Sequence, residues 1–168
     1  MSATTVLQSL FKYKAWAIDE LFTEIENINA DTHPAERHLA IRLLNHIYIV
    51  DRIFAAHLRG TTHNYTGANT TDTPPLSALR AAFAASDQWY VDYVAAATVE
   101  QLAEKRHFSF TDGQAGCMSR EEMLAHVATH GGYHRGAIGR ILAQLDMAPP
   151  RDTLTVFLHR TEPERRVA

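Results

Sequence analysis

The sequence predicts an all-α protein: a four-helix bundle with a small hairpin or structured loop between the third and fourth helices. Four long segments carry apolar residues at spacings of three and four, the pattern of a helix with one buried face. The stretches between them are rich in turn-forming residues. Of the 168 residues, 46% are hydrophobic and 21% are charged, so we expect a single domain over residues 1–168.

The first two helices are predicted over residues 4–28 and 36–58, where apolar side chains recur along one helical face. Gly60 is expected to cap the second helix, because glycine readily adopts the left-handed conformation that ends many helices. Residues 61–73 are rich in Thr, Asn and Gly and are expected to form a polar loop.

The third helix is predicted to begin near Pro74, since the first turn of a helix tolerates proline. The pattern then changes between residues 105 and 118. Residues 107–110 alternate between polar and apolar side chains, and Asp112-Gly113 is a turn dipeptide. These features predict the hairpin or structured loop.

The fourth helix is predicted to open at Ser119. Ser119 and Glu122 have the spacing of a capping box, in which each side chain binds a backbone N–H of the first turn. The apolar stripe of this helix continues to a stop near Ala148, and residues 152–158 are expected to form a short closing helix.

Composition argues against several classes of function. The formal charge of −3 and the pI of about 6.3 do not favour a nucleic-acid partner. The apolar runs are far shorter than a membrane span, and the N-terminus lacks the order of a signal peptide, so no membrane is expected. Cys117 is the single cysteine, which excludes an internal disulfide framework and fits the cytoplasm.

The histidines are the unusual feature, because four of the ten lie where an apolar residue is expected. One of them, His57, is three turns beyond His46 and too far away to share an ion with it. His46 falls on the stripe of the second helix, and His130 and His134 fall on that of the fourth. Burying an imidazole without partners costs about 1–3 kcal/mol. One divalent metal ion in the bundle core would satisfy all three together and leave coordination positions open for substrate. The competing interpretation is three separate hydrogen-bonded core histidines.

Other polar residues are candidates for the surroundings of this site. His126 lies one turn before His130 and can either replace His134 as a ligand or donate a hydrogen bond to one. Asp51 and Arg135 can orient ligands or bind an anionic substrate group, although an ion pair between helices explains them equally well. Tyr133 can offer its hydroxyl near the metal, or simply pack as an aromatic ring.

Several segments resemble a known family. Residues 44–52 resemble the second-helix motif of the DinB/YfiT-like family of metal-dependent proteins, and residues 126–138 resemble its fourth-helix motif. Residues 110–113 and 148–152 are also similar, so the resemblance spans nearly the whole chain. The family meant is the helical bundle, not the DNA polymerase that shares the name.

The resemblance implies a four-helix bundle, usually homodimeric, with a three-histidine metal site. By position its ligands fall on His46, His130 and His134. The implied ion is nickel or zinc, with iron or manganese as alternatives. Imidazole suits several of these metals, so the residues themselves do not name one.

Three functions compete at this stage. The first is a metal-dependent enzyme acting on a small molecule, with S-transferase activity that uses a low-molecular-weight thiol; this reaction class comes from the resemblance. The second is a metal-dependent hydrolase, which is disfavoured because no Glu adjoins the histidines as in His-Glu-x-x-His. The third is a non-catalytic metal-binding stress-response module.

Overall fold

A computed structural model describes residues 3–166 and is mostly helical. Its elements are α1 Ala3–Glu26, α2 Pro34–Arg59, α3 Leu76–Ala96, α4 Val99–Ala103, β1 Lys105–Ser109, β2 Ala115–Ser119, α5 Arg120–Gln144, α6 Leu154–Thr161 and a 3-10 turn at Pro163–Arg165. The helical class is therefore confirmed, and the four long helices lie where the apolar stripes predicted them. Within the described part of the chain, no helix combines the length and hydropathy needed to cross a membrane.

The four long helices pack against one another mainly through four pairs of contacts. Helix α1 contacts α3 and α5, and α2 contacts α5 and α3. The buried apolar side chains form two clusters, one around Phe22, Leu44 and Phe83 and the other around Phe11 and Tyr90. The bulk of both clusters is out of contact with water, which is the main source of stability in such a fold.

The hairpin and the cap before α5 are confirmed. Strands β1 and β2 pair antiparallel, with Lys105 opposite Ser119 and Ser109 opposite Ala115. The Ser119 hydroxyl accepts a hydrogen bond from the Glu122 N–H, and the Glu122 carboxylate accepts one from the Ser119 N–H. This capping box starts α5 directly at the end of β2.

Two helix ends follow from left-handed residues. Gly60, with φ of +71°, ends α2 as predicted, and its N–H donates to the carbonyl of His57. Helix α5 stops at Gln144 rather than near Ala148. The reason is Asp146, whose φ of +56° closes a Schellman-type turn in which the Met147 N–H donates to the Leu142 carbonyl.

Helix α4 was missed by the sequence pattern. It has five residues, so it is too short to show an apolar period. Thr98 and Gln101 nevertheless form a complete capping box, with each side chain binding a backbone N–H of the other residue. The Thr-x-x-Gln spacing was the available signal.

The loop after α2 folds back along that helix. Asn45, which is buried in α2, donates from Nδ2 to Asn69 Oδ1 and to Thr70 Oγ1. The Asn69 amide donates in turn to the Arg42 carbonyl at 3.0 Å, and Arg42 Nη1 donates to the Asp72 carbonyl at 3.1 Å. These bonds hold the loop against the outer side of α2, where it reaches the histidines.

Candidate metal centre

The structure brings the three predicted histidines together between α2 and α5. His46 projects from α2, and His130 and His134 project from successive turns of α5. His46 Nε2 lies 3.0 Å from His130 Nε2 and 3.2 Å from His134 Nε2. One ligand atom from each ring lies within 4.8 Å of the others, so the group could hold a metal ion.

The spacing of these nitrogens is close to that of a coordination sphere. Ligand nitrogens about 2.0–2.1 Å from a tetrahedral ion lie about 3.3–3.4 Å from one another. The two short Nε2 separations are within a few tenths of an ångström of that edge. Small shifts of the rings would therefore admit an ion at the centre of the group.

A backbone carbonyl fixes the orientation of His46. Its Nδ1 lies 2.7 Å from the Ala68 carbonyl oxygen, which only accepts hydrogen bonds. In the neutral ring the proton is therefore on Nδ1, and the lone pair of Nε2 points toward His130 and His134. Metal-binding histidines usually have such a partner on the other ring nitrogen.

The electrostatic surroundings favour neutral imidazoles on α5. Burial, followed by the neighbouring rings of His134, His46 and His126, lowers the pKa of His130 to about 3. Burial, followed by the proximity of His46, also lowers the pKa of His134. Both rings consequently keep a free lone pair at neutral pH, as metal binding requires.

The expected position in the bundle core was wrong in one respect. All three histidines are only half buried, and none belongs to the two apolar clusters. They lie at the edge of the contact between α2 and α5, beneath the loop that carries Ala68. Because each of the three rings keeps part of its surface exposed, a ligand can reach the group from solvent.

His126 lies beside the group without joining it. Its ring stacks on His130 with centroids 5.4 Å apart, and its other neighbour is Phe54, at 4.5 Å. The cluster that can hold an ion within residues 3–166 consists of His46, His130 and His134. Burial lowers the pKa of His126, so this ring is also neutral at pH 7.

Asp51 takes part in a buried ion pair rather than contacting the histidines. Lys14 Nζ lies 2.6 Å from Asp51 Oδ2 and 2.6 Å from Asp87 Oδ1, and all three residues are almost fully buried. Burial, with a smaller contribution from Asp87, raises the pKa of Asp51 to about 6 against the opposing effect of Lys14. Burial opposes the charge on Lys14, but the two carboxylates outweigh it and raise its pKa.

The sequence analysis did not single out Lys14 or Asp87. Both stand within apolar stripes: Lys14 lies between Phe11 and Ile18, and Asp87 lies between Phe83 and Tyr90 at helical spacing. A charged residue in such a position needs an opposite charge on a facing helix. That was the signal available in the sequence.

Arg135 and Tyr133 also have neighbours that the structure identifies. Arg135 is buried, and its guanidinium pairs with Asp152 at 2.7 Å and contacts the Tyr13 hydroxyl at 3.3 Å. Tyr133 is 78% exposed, and its ring meets that of His134 edge-on at 5.0 Å. Within the described chain neither Asp51 nor Arg135 hydrogen-bonds to the three histidines.

Two glycines of α5, Gly131 and Gly136, can be used to test how tightly the side chains of Arg135 and Lys14 are held. A Cβ at Gly131 would lie 3.2 Å from Arg135 Nη1 and 3.7 Å from Lys14 Cε, whereas a Cβ at Gly136 would meet nothing within 4 Å. Gly136→Ala is therefore expected to stabilise the protein by up to about 1 kcal/mol through helix propensity, and Gly131→Ala to give no such gain. Urea unfolding measures both. Equal gains would show that the two cations move aside freely.

Comparison with known proteins identifies the family. The model of the DinB family matches residues 1–166. The chain belongs to the DinB family. Protein DinB of Bacillus subtilis (strain 168) is 23% identical over 168 residues, which cover 93% of this chain and 95% of that protein. No solved structure matches significantly. The resemblance to DinB proteins that the motifs indicated is thus confirmed over nearly the full chain.

Proposed function

We propose that His46, His130 and His134 bind one divalent metal ion, nickel or zinc, and that the protein is a metal-dependent enzyme of the S-transferase type. The observation that carries this proposal is the convergence of three Nε2 atoms at 3.0 and 3.2 Å. Separate hydrogen-bonded histidines have no reason to point the same nitrogen at one centre. A shared cation gives them that reason.

A catalytic role is favoured over a purely structural one. Structural zinc sites usually have four protein ligands, whereas catalytic sites have three and keep a position for water or substrate. Three histidines form this group, and each is half buried at the edge of two helices. These are the features that a reactive site needs and that a metal clip between α2 and α5 does not.

Thiol transfer is favoured over hydrolysis by the composition of the group. Within the part of the chain that the structure describes, no carboxylate joins the three histidines as a candidate general base for water. A thiol has less need of such a base, because its pKa is already close to neutral and falls further beside a cation. The other support for thiol transfer is the resemblance to the DinB/YfiT-like family, from which this reaction class was inferred.

The proposed reaction divides the work between the ion and the protein. A bound divalent ion supplies Lewis acidity, which lowers the pKa of a thiol. The Ala68 carbonyl holds His46 in one tautomer, and burial keeps His130 and His134 neutral. The thiol sulfur forms a bond to an electrophilic carbon, the bond from that carbon to its leaving group breaks, and the thiol proton passes to solvent.

The test uses monochlorobimane, which becomes fluorescent when a thiol displaces its chloride. Cys117 is exposed and would react itself, so the assay is made in a Cys117→Ser background. We expect the metal-loaded protein to accelerate the reaction of at least one of cysteine, glutathione or 2-mercaptoethanol. The His130→Ala/His134→Ala variant is expected to give the uncatalysed rate. If no thiol reacts faster with the loaded protein, transfer of this kind is wrong.

The remaining features of the proposal concern architecture and partners. The pairwise contacts of α1, α2, α3 and α5 support a four-helix bundle. A homodimer, a small-molecule substrate with a low-molecular-weight thiol, and the absence of a nucleic-acid partner stay predictions that rest on the resemblance and on the acidic composition.

A further inference from the structure

A cavity of about 570 Å³ lies between the β-hairpin and the first half of the loop that follows α2. One wall comes from His57, residues 60–63 and residues 65–66, and the other from residues 107–111 and Gly113 of the hairpin. Cavities of about 300–1,000 Å³ are the usual size for small-molecule sites. This one is therefore large enough for an organic substrate.

The cavity adjoins the histidine group through the same loop. Thr66 lines the cavity, and the carbonyl of Ala68, two residues later, contacts His46. Two residues of extended chain span at most about 7 Å between Cα atoms. The end of the cavity at Thr66 is consequently close to the face on which the His46 ring is held.

A row of rings joins the two places along the helices as well. His126 stacks on His130, Phe54 packs against His126 at 4.5 Å, and Phe54 meets Phe108 at 6.1 Å. Phe108 is itself a wall of the cavity. A continuous row of packed rings thus connects the histidine group to the wall of the cavity.

The lining has a distinct chemical character. Aromatic faces come from Phe108, Phe110 and Tyr65, and hydroxyl groups come from threonines such as Thr62. Among the described residues, no Asp, Glu, Lys or Arg lines the cavity. Burial, followed by the proximity of His63, lowers the pKa of His57, so this wall residue is neutral at pH 7.

We infer that this cavity binds the uncharged, planar ring of the substrate and directs its reactive atom toward His46, His130 and His134. The planar ring packs against Tyr65 and Phe110, and the threonine hydroxyls accept or donate hydrogen bonds at its edge. A charged ring would lose hydration, and the nearest guanidinium, that of Arg106 beside Gly60, is already paired with Glu104 at 3.3 Å. This inference rests on the proposed function, because it assigns the substrate class to that same site.

The test compares three probes by titration calorimetry: p-cresol, benzoate and cyclohexanol. p-Cresol is neutral and planar, benzoate is planar but charged, and cyclohexanol is neutral but not planar. We expect p-cresol to bind with the lowest Kd. Benzoate binding as tightly as p-cresol would overturn the neutral class, and cyclohexanol binding as tightly would overturn the planar one.

Matched variants locate the binding. Thr62 and Thr71 are both exposed residues of the same loop, but Thr62 lines the cavity and Thr71 does not. Thr62→Trp is expected to raise the Kd of p-cresol about tenfold, and Thr71→Trp to change it less than about twofold. Equal effects of the two substitutions would place the probe elsewhere and overturn the inference.

Zinc uptake by the same proteins separates the two possible failures. If the wild-type and Thr62→Trp proteins both take up zinc but have the same Kd for p-cresol, the cavity inference fails and the metal site stands. If wild-type protein takes up no zinc but binds p-cresol in the cavity, the proposed function fails and the ring-binding site stands alone.

Discussion

We expect the His130→Ala/His134→Ala variant to take up no divalent ion, and wild-type protein purified without a tag or nickel column to carry close to one equivalent. This is the expected result if the three Nε2 atoms are ligands, because a single remaining imidazole, His46, binds metal weakly. Elemental analysis of both proteins measures it and names the ion. Loading the wild type should also raise its stability, by about 4 kcal/mol at a thousandfold excess of metal over Kd.

Two single substitutions sharpen this result. His46→Ala removes the third ligand, and we expect it to weaken zinc binding by about a hundredfold or more. His126→Ala is the matched control, because His126 stacks on His130 but stands outside the group. It should keep its metal. Equal loss in the two variants would place His126 among the ligands, and full occupancy in His46→Ala would remove His46 from them.

Lys14→Met should lower the free energy of unfolding by about 3–5 kcal/mol. The substitution leaves the carboxylates of Asp51 and Asp87 buried without the cation that lies 2.6 Å from each. Lys12→Met is the matched control, since Lys12 is exposed on the same helix. We expect the control to change stability by less than about 0.5 kcal/mol in urea unfolding. If both substitutions had similarly small effects on the free energy of unfolding, the buried ion pairs of Lys14 with Asp51 and Asp87 would not contribute as described.

The stability gap between wild type and Lys14→Met should narrow in acid. The pKa of Asp51 is about 6 in the folded protein against 3.8 ordinarily, so the folded state binds the proton first. Lowering the pH through this pKa therefore increases the free energy of unfolding. The increase is larger in Lys14→Met, because Lys14 no longer opposes the rise in the pKa of Asp51. Unfolding at about pH 7.5 and about pH 5.5 gives the comparison, in which the histidines common to both proteins cancel. A gap that widens in acid would contradict this account.

Much of the fold was readable from single helices. The stripes of α1, α2, α3 and α5 predicted the long helices, and the Ser119–Glu122 spacing predicted where α5 begins. The histidine group was readable for the same reason, because an imidazole in an apolar stripe calls for a partner. These are local patterns, in which a residue is compared with its own neighbours along the chain.

What the sequence did not predict depends on contacts between distant segments. The half burial of the histidines depends on the path of residues 61–73, which the buried amide of Asn45 holds against α2. The pairing of Lys14 with Asp51 and Asp87 joins three helices. The end of α5 depends on the left-handed Asp146, a conformation that aspartate adopts only sometimes.

Two neighbouring residues of α1, Tyr13 and Lys14, fix the positions of the other three long helices along their axes. Lys14 forms ion pairs with Asp51 of α2 and Asp87 of α3, and the hydroxyl of Tyr13 contacts Arg135 of α5. Sliding any of these helices by one turn, about 5.4 Å, would leave a buried charge facing hydrocarbon. Helix α1 therefore fixes the axial positions of α2 and α5 relative to each other. It contributes none of the three histidines, but its contacts keep His46 of α2 beside His130 and His134 of α5.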